Sequence, residues 1–230
     1  MRWRSILALM LVAGIAAPNV AAAQDTRPAI GVMPFDNGGS YGLESEDFEA
    51  FEVGLQQMLI TELAVNSQLR LVERSRLRSL FEEQDIGASG RVDANTAARI
   101  GKLIGARYMI LGGFIDWYSD FRIDARIVDV ETSEIVKTQR ARDDRANMYD
   151  IVVELANNIT RGLNLPPLSG QAFNERRERD IPEEAVRLYT KGLLYQDRGD
   201  TERAAELFSQ ATQAFPEYTE AHEALRQIRG

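Results

Sequence analysis

Few residues in this chain have the type and spacing that chemistry needs, and their pattern points away from catalysis. There is one histidine, His222, and no cysteine. A catalytic or metal-binding histidine usually has carboxylates or further histidines placed beside it by the fold. The neighbours of His222, Glu220 and Glu223, have the spacing of an ordinary helix surface. Without cysteine or a second histidine there is no Cys/His zinc site and no Cys/His nucleophile pair, and no Gly-x-Ser-x-Gly elbow is present. Asp36-Asn37-Gly38-Gly39 follows an apolar run, a place where α/β folds often bind ligands. It lacks the glycine fingerprint and the lysine of a phosphate loop, so a plain turn accounts for it. Asp116, Asp120, Asp124 and Asp129 could gather around calcium, but Arg122 and Arg126 flank Asp124 on the same face. Cross-strand ion pairing is the better account, and Asp143-Asp144 simply ends a hairpin. No catalytic, metal-binding or cofactor-binding residue is assigned.

What remains is contact chemistry. Trp117 and Tyr118 are adjacent large aromatics in a short connection, and in an extended stretch they cannot both point inward. An exposed ring there is a good contact residue, although burial of the pair under a neighbouring loop is the favoured reading. Arg187, Tyr195 and Arg198, on a helical stretch running from Arg187 to Phe215, complete the set of protein-binding candidates.

The elements that would position these residues follow from periodicity. Residues 69–114 read as strand, helix, loop, helix, strand: Leu69, Leu71 and Val72 open it, Leu77, Leu80 and Phe81 then Ala97, Ile100, Leu103 and Ile104 have helical spacing, and Tyr108 to Leu111 closes it. Asp93 is the expected N-cap of the second helix and Gly105 its left-handed terminator. Before this segment, residues 30–35 form a buried strand. An amphipathic helix follows over residues 47–63, with Phe48, Phe51, Leu55, Met58, Leu59 and Leu63 on one side and Ser45 as N-cap. After it, residues 121–130 alternate apolar and polar until the phase slips at Val128, as on a half-wet antiparallel strand. Residues 131–134 turn the chain, Ile135 to Arg140 returns, and a helix from Met148 to Leu163 follows with Asn147 as its cap and Ile151, Val152, Leu155 and Ile159 inward. Parallel crossover units would then lead into an antiparallel meander, an α/β (α+β) domain with a mixed sheet and flanking helices.

Residues 1–23 stand apart. Arg2 and Arg4, the apolar run from Ile6 to Ala17 and Ala21-Ala22-Ala23 have the pattern of a cleaved signal peptide, and the run is short for a membrane anchor. With no cysteine to carry a lipid, the exported protein is expected to be a soluble periplasmic one that inserts in no membrane, with the outer membrane as a surface it could associate with. Loss of Arg2 and Arg4 takes the formal charge from −8 to −10, which argues against nucleic-acid binding.

Three segments carry a resemblance: Val32-Met-Pro-Phe35, Leu71-Val-Glu-Arg74 and the stretch from Ala97 to Phe114, joined by the Asp129 to Gln139 hairpin. Together they resemble the curli production assembly/transport (CsgG-type) family over residues 29–163. The resemblance implies a periplasmic domain that works through protein contacts, and related flagellar-assembly proteins and lipoprotein activators of peptidoglycan synthases share similar patterns. Channel-forming members are lipoproteins with long membrane hairpins. Here there is no cysteine to acylate, and connections of six and four residues leave no room for strands of about nine to eleven residues each way.

After Leu165-Pro166-Pro167 stops the helix, residues 166–181 read as a linker whose charge run is a solvated face. In residues 182–230, Gly192, Tyr195, Gly199, Ala204, Phe208, Ala211 and Pro216 resemble a tetratricopeptide repeat, followed by a capping helix. A lone repeat cannot bury its apolar face, so it is expected to pack on its own domain, a second copy or a partner. Three functions are in play: a non-enzymatic envelope scaffold, including activation of a cell-wall synthase; a ring-forming accessory of a secretion channel; and an enzyme, for which the sequence offers no constellation. Partners would be other envelope proteins or copies of the chain.

Overall fold

The computed structural model describes residues 25–84 and 92–230. The expected signal segment and most of the loop between the two middle helices lie outside the described residues. Strand β1 (Ala29–Asn37) has β2 (Arg70–Leu71) on one side and β3 (Tyr108–Trp117) on the other, both parallel to it. β4 (Asp120–Asp129) and β5 (Ile135–Asp144) complete a five-stranded mixed sheet in the order β2-β1-β3-β4-β5, the last three antiparallel. Helices α1 (Ser45–Ala64) and α4 (Met148–Gly162) pack on one face. Helices α2 (Arg74–Gln84) and α3 (Ala94–Ile104) pack on the other, against Met33, Met109, Leu111 and Val128. The α/β class with a mixed sheet and C-terminal helices is as the sequence indicated.

Local punctuation explains where the elements stop. Asp93 caps α3 by accepting from the Thr96 amide at 2.7 Å, and Gly105 closes it at φ 70°. Two caps differ from expectation. α1 already starts at Ser45, so Glu44 takes the cap position, and no side chain bonds there. A single 3-10 turn, Arg145–Asn147, precedes α4, and Asp144 rather than Asn147 accepts the free amide, from Ala146 at 2.8 Å. Ile127 and Val128 face opposite sides by ordinary alternation and both are buried because α3 covers the second face here; the register shift beside them leaves Val136 of β5 unpaired. A bulge around Met33 and Pro34 of β1 leaves the Val32 carbonyl to accept from Gln56 Nε2 at 2.7 Å.

That glutamine shows how α1 departs from a one-sided amphipathic helix. Phe48, Phe51, Leu55 and Leu59 meet the sheet as expected, but Asp47, Gly54, Gln56, Ile60 and Glu62 are also buried. The cause lies at the C-terminus. Helices α6 (Glu183–Asp197), α7 (Thr201–Ala214) and α8 (Thr219–Arg229) follow a short helix α5 (Gly170–Arg177), and α6 lies along α1. The crossing is close enough that a Cβ on Gly54 would fall 2.1 Å from Thr190 Cγ2. Within the helical unit, Phe208 sits over Gly192 and meets Tyr189 with ring centroids 5.7 Å apart and the planes tilted by 46°.

Ion pairs lock this packing. Arg176 and Tyr149 both donate to Glu62, at 2.9 Å from Arg176 Nε and 2.9 Å from Tyr149 Oη. Arg179 donates to Glu220 at 2.6 and 2.7 Å and to Tyr149 Oη at 2.8 Å. The charge run is therefore no solvated face at Arg176 and Arg179, whose side chains are half-buried between α1, α4 and α8. Burial acts on the Glu220 carboxyl to raise its pKa, but the Arg179 guanidinium outweighs it, so Glu220 titrates below its ordinary 4.5.

Two outcomes follow from the packing of α6. Gly54→Ala should destabilise the chain by about 1–3 kcal/mol through overpacking, although alanine favours a helix by about 1 kcal/mol. Adding Thr190→Ala should restore part of the loss in urea unfolding. A more stable Gly54→Ala variant would show that α6 does not press on α1. A group with a depressed folded pKa stabilises above its unfolded value, and that contribution disappears as pH falls through the folded value. Urea midpoints should therefore hold from neutral pH down toward 4.5 and then decline, and the decline should be smaller in Glu220→Gln.

Candidate functional site

The site is the turn between β3 and β4. The six-residue connection expected between residues 115 and 120 is in fact two residues, Tyr118 and Ser119, because both strands run to the turn and pair Trp117 with Asp120. Tyr118 at φ 51° and Ser119 at φ 80° take the left-handed backbone that two-residue hairpins require. Neither is glycine, so each carries strain on the order of 1–3 kcal/mol that the surroundings must hold in place.

Those surroundings are well defined. Asp116, fully buried, accepts from the Ser119 amide at 2.9 Å and from Arg145 Nη1. The Arg145 amide donates to the Ser119 carbonyl at 2.7 Å, and its Nε donates to Glu183 at the start of α6 at 2.7 Å. Desolvation works against the Arg145 charge, but the bonds to Asp116 and Glu183 prevail and its pKa lies above the ordinary value. On the other side, the chain after β1 runs beside the turn. The Tyr41 amide donates to the Asp116 carbonyl at 2.8 Å, Tyr118 N to the Tyr41 carbonyl at 3.2 Å, and Asp116 N to Ser40 Oγ at 2.9 Å.

The result is a fixed tip that carries three rings outward. Tyr41, Trp117 and Tyr118 are 53%, 58% and 69% exposed. Trp117 meets Tyr41 edge-on at 5.0 Å and Tyr118 edge-on at 6.0 Å. The favoured reading, burial under a neighbouring loop, is overturned: the loop at Tyr41 pairs beside the turn through its backbone and adds a third ring instead of a cover. Tyr41 was missed by sequence reasoning, because a single tyrosine in a glycine-rich loop carries no periodic signal.

The other candidates are not brought to this tip. Tyr195 Oη donates to Glu46 at 2.7 Å, and Arg198 donates to Glu49 at 2.6 Å while lying 5.4 Å over the Tyr195 ring. Arg187 bonds Glu184 at 2.7 Å and faces Asp47 at 3.8 Å, where Lys191 also pairs at 3.0 Å. The Tyr195 bond first, then Lys191 and Arg198, hold the Glu46 carboxyl below its ordinary pKa. Their polar ends thus join α6 to the start of α1.

The remaining sequence candidates have structural partners. Asp124 meets Arg122 at 2.8 Å and Arg140 at 2.5 Å, Asp120 meets Arg142 at 2.6 Å, and Asp129 meets Arg107 at 2.9 Å. Cross-strand pairing is as expected for Asp120 and Asp124, with Arg142 and Arg140 of β5 as the partners across the ladder, while Arg122 pairs along its own strand. Asn37 Oδ1 accepts from Gly39 and Ser40 amides, so the glycine-rich loop is a turn. His222 Nε2 donates to the Pro216 carbonyl at 2.9 Å. A cleft of about 430 Å³ lies between α1, α2, α6 and α8, with Arg74 and Arg78 paired to Asp197 at its wall.

The family model described as "Curli production assembly/transport component CsgG" matches residues 18–122, which supports the CsgG-type family for that part of the chain. The match takes in β1 to β3, α1 to α3 and the aromatic turn. Similar solved structures include the LpoB C-terminal domain from Escherichia coli, 16% identical over 51% of this chain and 83% of that one, TM-score 0.42. TolB from Acinetobacter baumannii is 14% identical over 62% and 30%, TM-score 0.43, and the PelC dodecamer from Paraburkholderia phytofirmans is 12% identical over 61% and 89%, TM-score 0.35. No curated protein sequence matches the chain.

The Asp116 arrangement yields a direct outcome. Asp116→Ala should cost about 3–5 kcal/mol, since it leaves a buried guanidinium and the Ser119 amide short of a partner. Denaturant unfolding with near-ultraviolet circular dichroism would follow it. A loss below about 1 kcal/mol, the range of an exposed site, would mean that Asp116 does not hold the turn.

Proposed function

We propose that this chain is a non-enzymatic binding or scaffold protein of the cell envelope, acting in assembly or secretion through protein contacts made by the aromatic tip. The observation that carries the reading is the tip itself: three exposed rings on a strained turn that a buried ion pair holds rigid. Rigid aromatic anchors contribute contact area at small entropic cost on binding. The family match supports the envelope setting. In this reading residues 1–23 direct export to the periplasm, residues 24–165 are the CsgG-like domain, and residues 166–181 link it to a tetratricopeptide-like hairpin with a capping helix in residues 182–230. Arg187, Tyr195 and Arg198 serve that reading by holding the hairpin against α1.

Replacing Trp117 and Tyr118 together by alanine tests it. Stability should stay within about 1 kcal/mol, as for exposed sites, while crosslinking to envelope proteins in a membrane-and-periplasm extract falls sharply. Unchanged crosslinking would remove the tip from the interaction surface, and a large stability loss would make the rings structural.

A further inference from the structure

At the tip end of the sheet, rings and carboxylates stand side by side. Tyr41 bridges Trp117, Trp117 pairs with Asp120, and Asp120 pairs with Asp144, so these residues cross the sheet in one row at strand spacings of about 4.8 Å. Asp143 adjoins the row, and Glu44 follows Tyr41 in the chain that runs beside the turn. Glu44, Asp143 and Asp144 are all exposed.

The charges at this end do not balance. Arg142 is taken by Asp120, at 2.6 Å from Nε, and Arg145 by Asp116 and Glu183. Arg122 and Arg140, next along β4 and β5, share Asp124. Lys191, Arg187 and Arg198 on α6 are taken by Glu46, Asp47, Glu49 and Glu184. Among the described residues Glu44, Asp143 and Asp144 have no ion pair, and the two aspartates accept only from the amides of Asp144 and Ala146.

Elsewhere in the fold, neighbouring rings and carboxylates hold arginine. Arg107 lies 5.4 Å over the Tyr108 ring while pairing with Asp129, Arg179 lies 5.1 Å over Tyr149 while pairing with Glu220, and Arg198 lies 5.4 Å over Tyr195 while pairing with Glu49. A guanidinium stacks on a ring through its plane and bonds carboxylates through its edge. Among the described residues no cation lies over Tyr41, Trp117 or Tyr118, and their edge-on contacts leave more than half of each residue exposed.

We infer that the aromatic tip docks an arginine-rich segment of another protein, whose guanidinium groups lie on Trp117 and Tyr118 and pair with Glu44, Asp143 and Asp144. The inference rests on the contact role proposed for the tip and names the partner's chemistry. A neutral bilayer also takes up exposed rings, but it would bury the three carboxylates without partners, at high cost. Anionic lipid and nucleic acid are repelled by the same charges.

The test is fluorescence anisotropy of the full chain with a labelled peptide of alternating arginine and serine, beside a lysine–serine peptide of equal charge. The arginine peptide should bind more tightly. Glu44→Gln, Asp143→Asn and Asp144→Asn combined should weaken it about tenfold or more, with the melting temperature unchanged, because asparagine keeps both amide bonds. Glu134→Gln, Glu178→Gln and Glu217→Gln combined remove three exposed acids elsewhere and should leave binding as it was. Equal binding by the lysine peptide, or equal weakening by the two triple variants, would overturn the inference. Cosedimentation with neutral phosphatidylcholine vesicles, lost in Trp117→Ala with Tyr118→Ala, would replace the protein segment by a membrane. Crosslinking in the extract separates this inference from the reading beneath it. Loss in both the ring variant and the tip-acid variant upholds both, and loss in the ring variant alone sinks only the partner's chemistry. Retention in the ring variant sinks the contact role, and this inference with it.

Discussion

Everything in the molecule leans on α1. A helix that must be dry on two sides has to solve its polar groups from outside itself, because buried charges without partners are costly. Each of its buried polar residues is answered by a different element: Gln56 by the β1 bulge, Glu62 by Arg176 and Tyr149, and Asp47 by Lys191. These partners come from the sheet, from α4 and α5, and from α6. The helix therefore registers the C-terminal helices on the α/β core.

The same logic reaches the aromatic tip. Asp116 is buried at the far end of β3, where the Arg145 guanidinium and the turn amide bond its carboxylate. Arg145 in turn bonds Glu183 at the start of α6. One chain of charge thus connects the strained turn, the 3-10 turn before α4 and the first residues of the helical unit.

Surface chemistry divides along the sheet. One face is closed by α1 and α4 over a core that includes Phe51, Phe114 and Phe121, with ring centroids 5.5–6.2 Å apart. Among the described residues the opposite face is closed by α2 and α3 at one end, and past them polar residues alternate on β4 and β5. The alternation that keeps Phe121, Ile123 and Ala125 inside is what presents Arg122, Asp124 and Arg126 outside.

The sequence by itself determined most of the elements and their order, helix α5 in the expected linker excepted. Period and punctuation sufficed for the crossover units, the meander, the Asp93 cap and the slip at Val128, since these depend on neighbours a few residues away. The rest was decided only in three dimensions. α1 looks amphipathic because Asp47, Gln56 and Glu62 are polar, and only the arrival of α6 and Arg176 makes their faces interior. Residues 115–120 look like a loop because no glycine marks the turn, and only Asp116 and Arg145 hold Tyr118 and Ser119 at positive φ. Tyr195 and Arg198 look free on their own helix, and only the packing of α6 gives them Glu46 and Glu49. In each case the deciding partner lies far away in the chain, where local spacing carries no information about it.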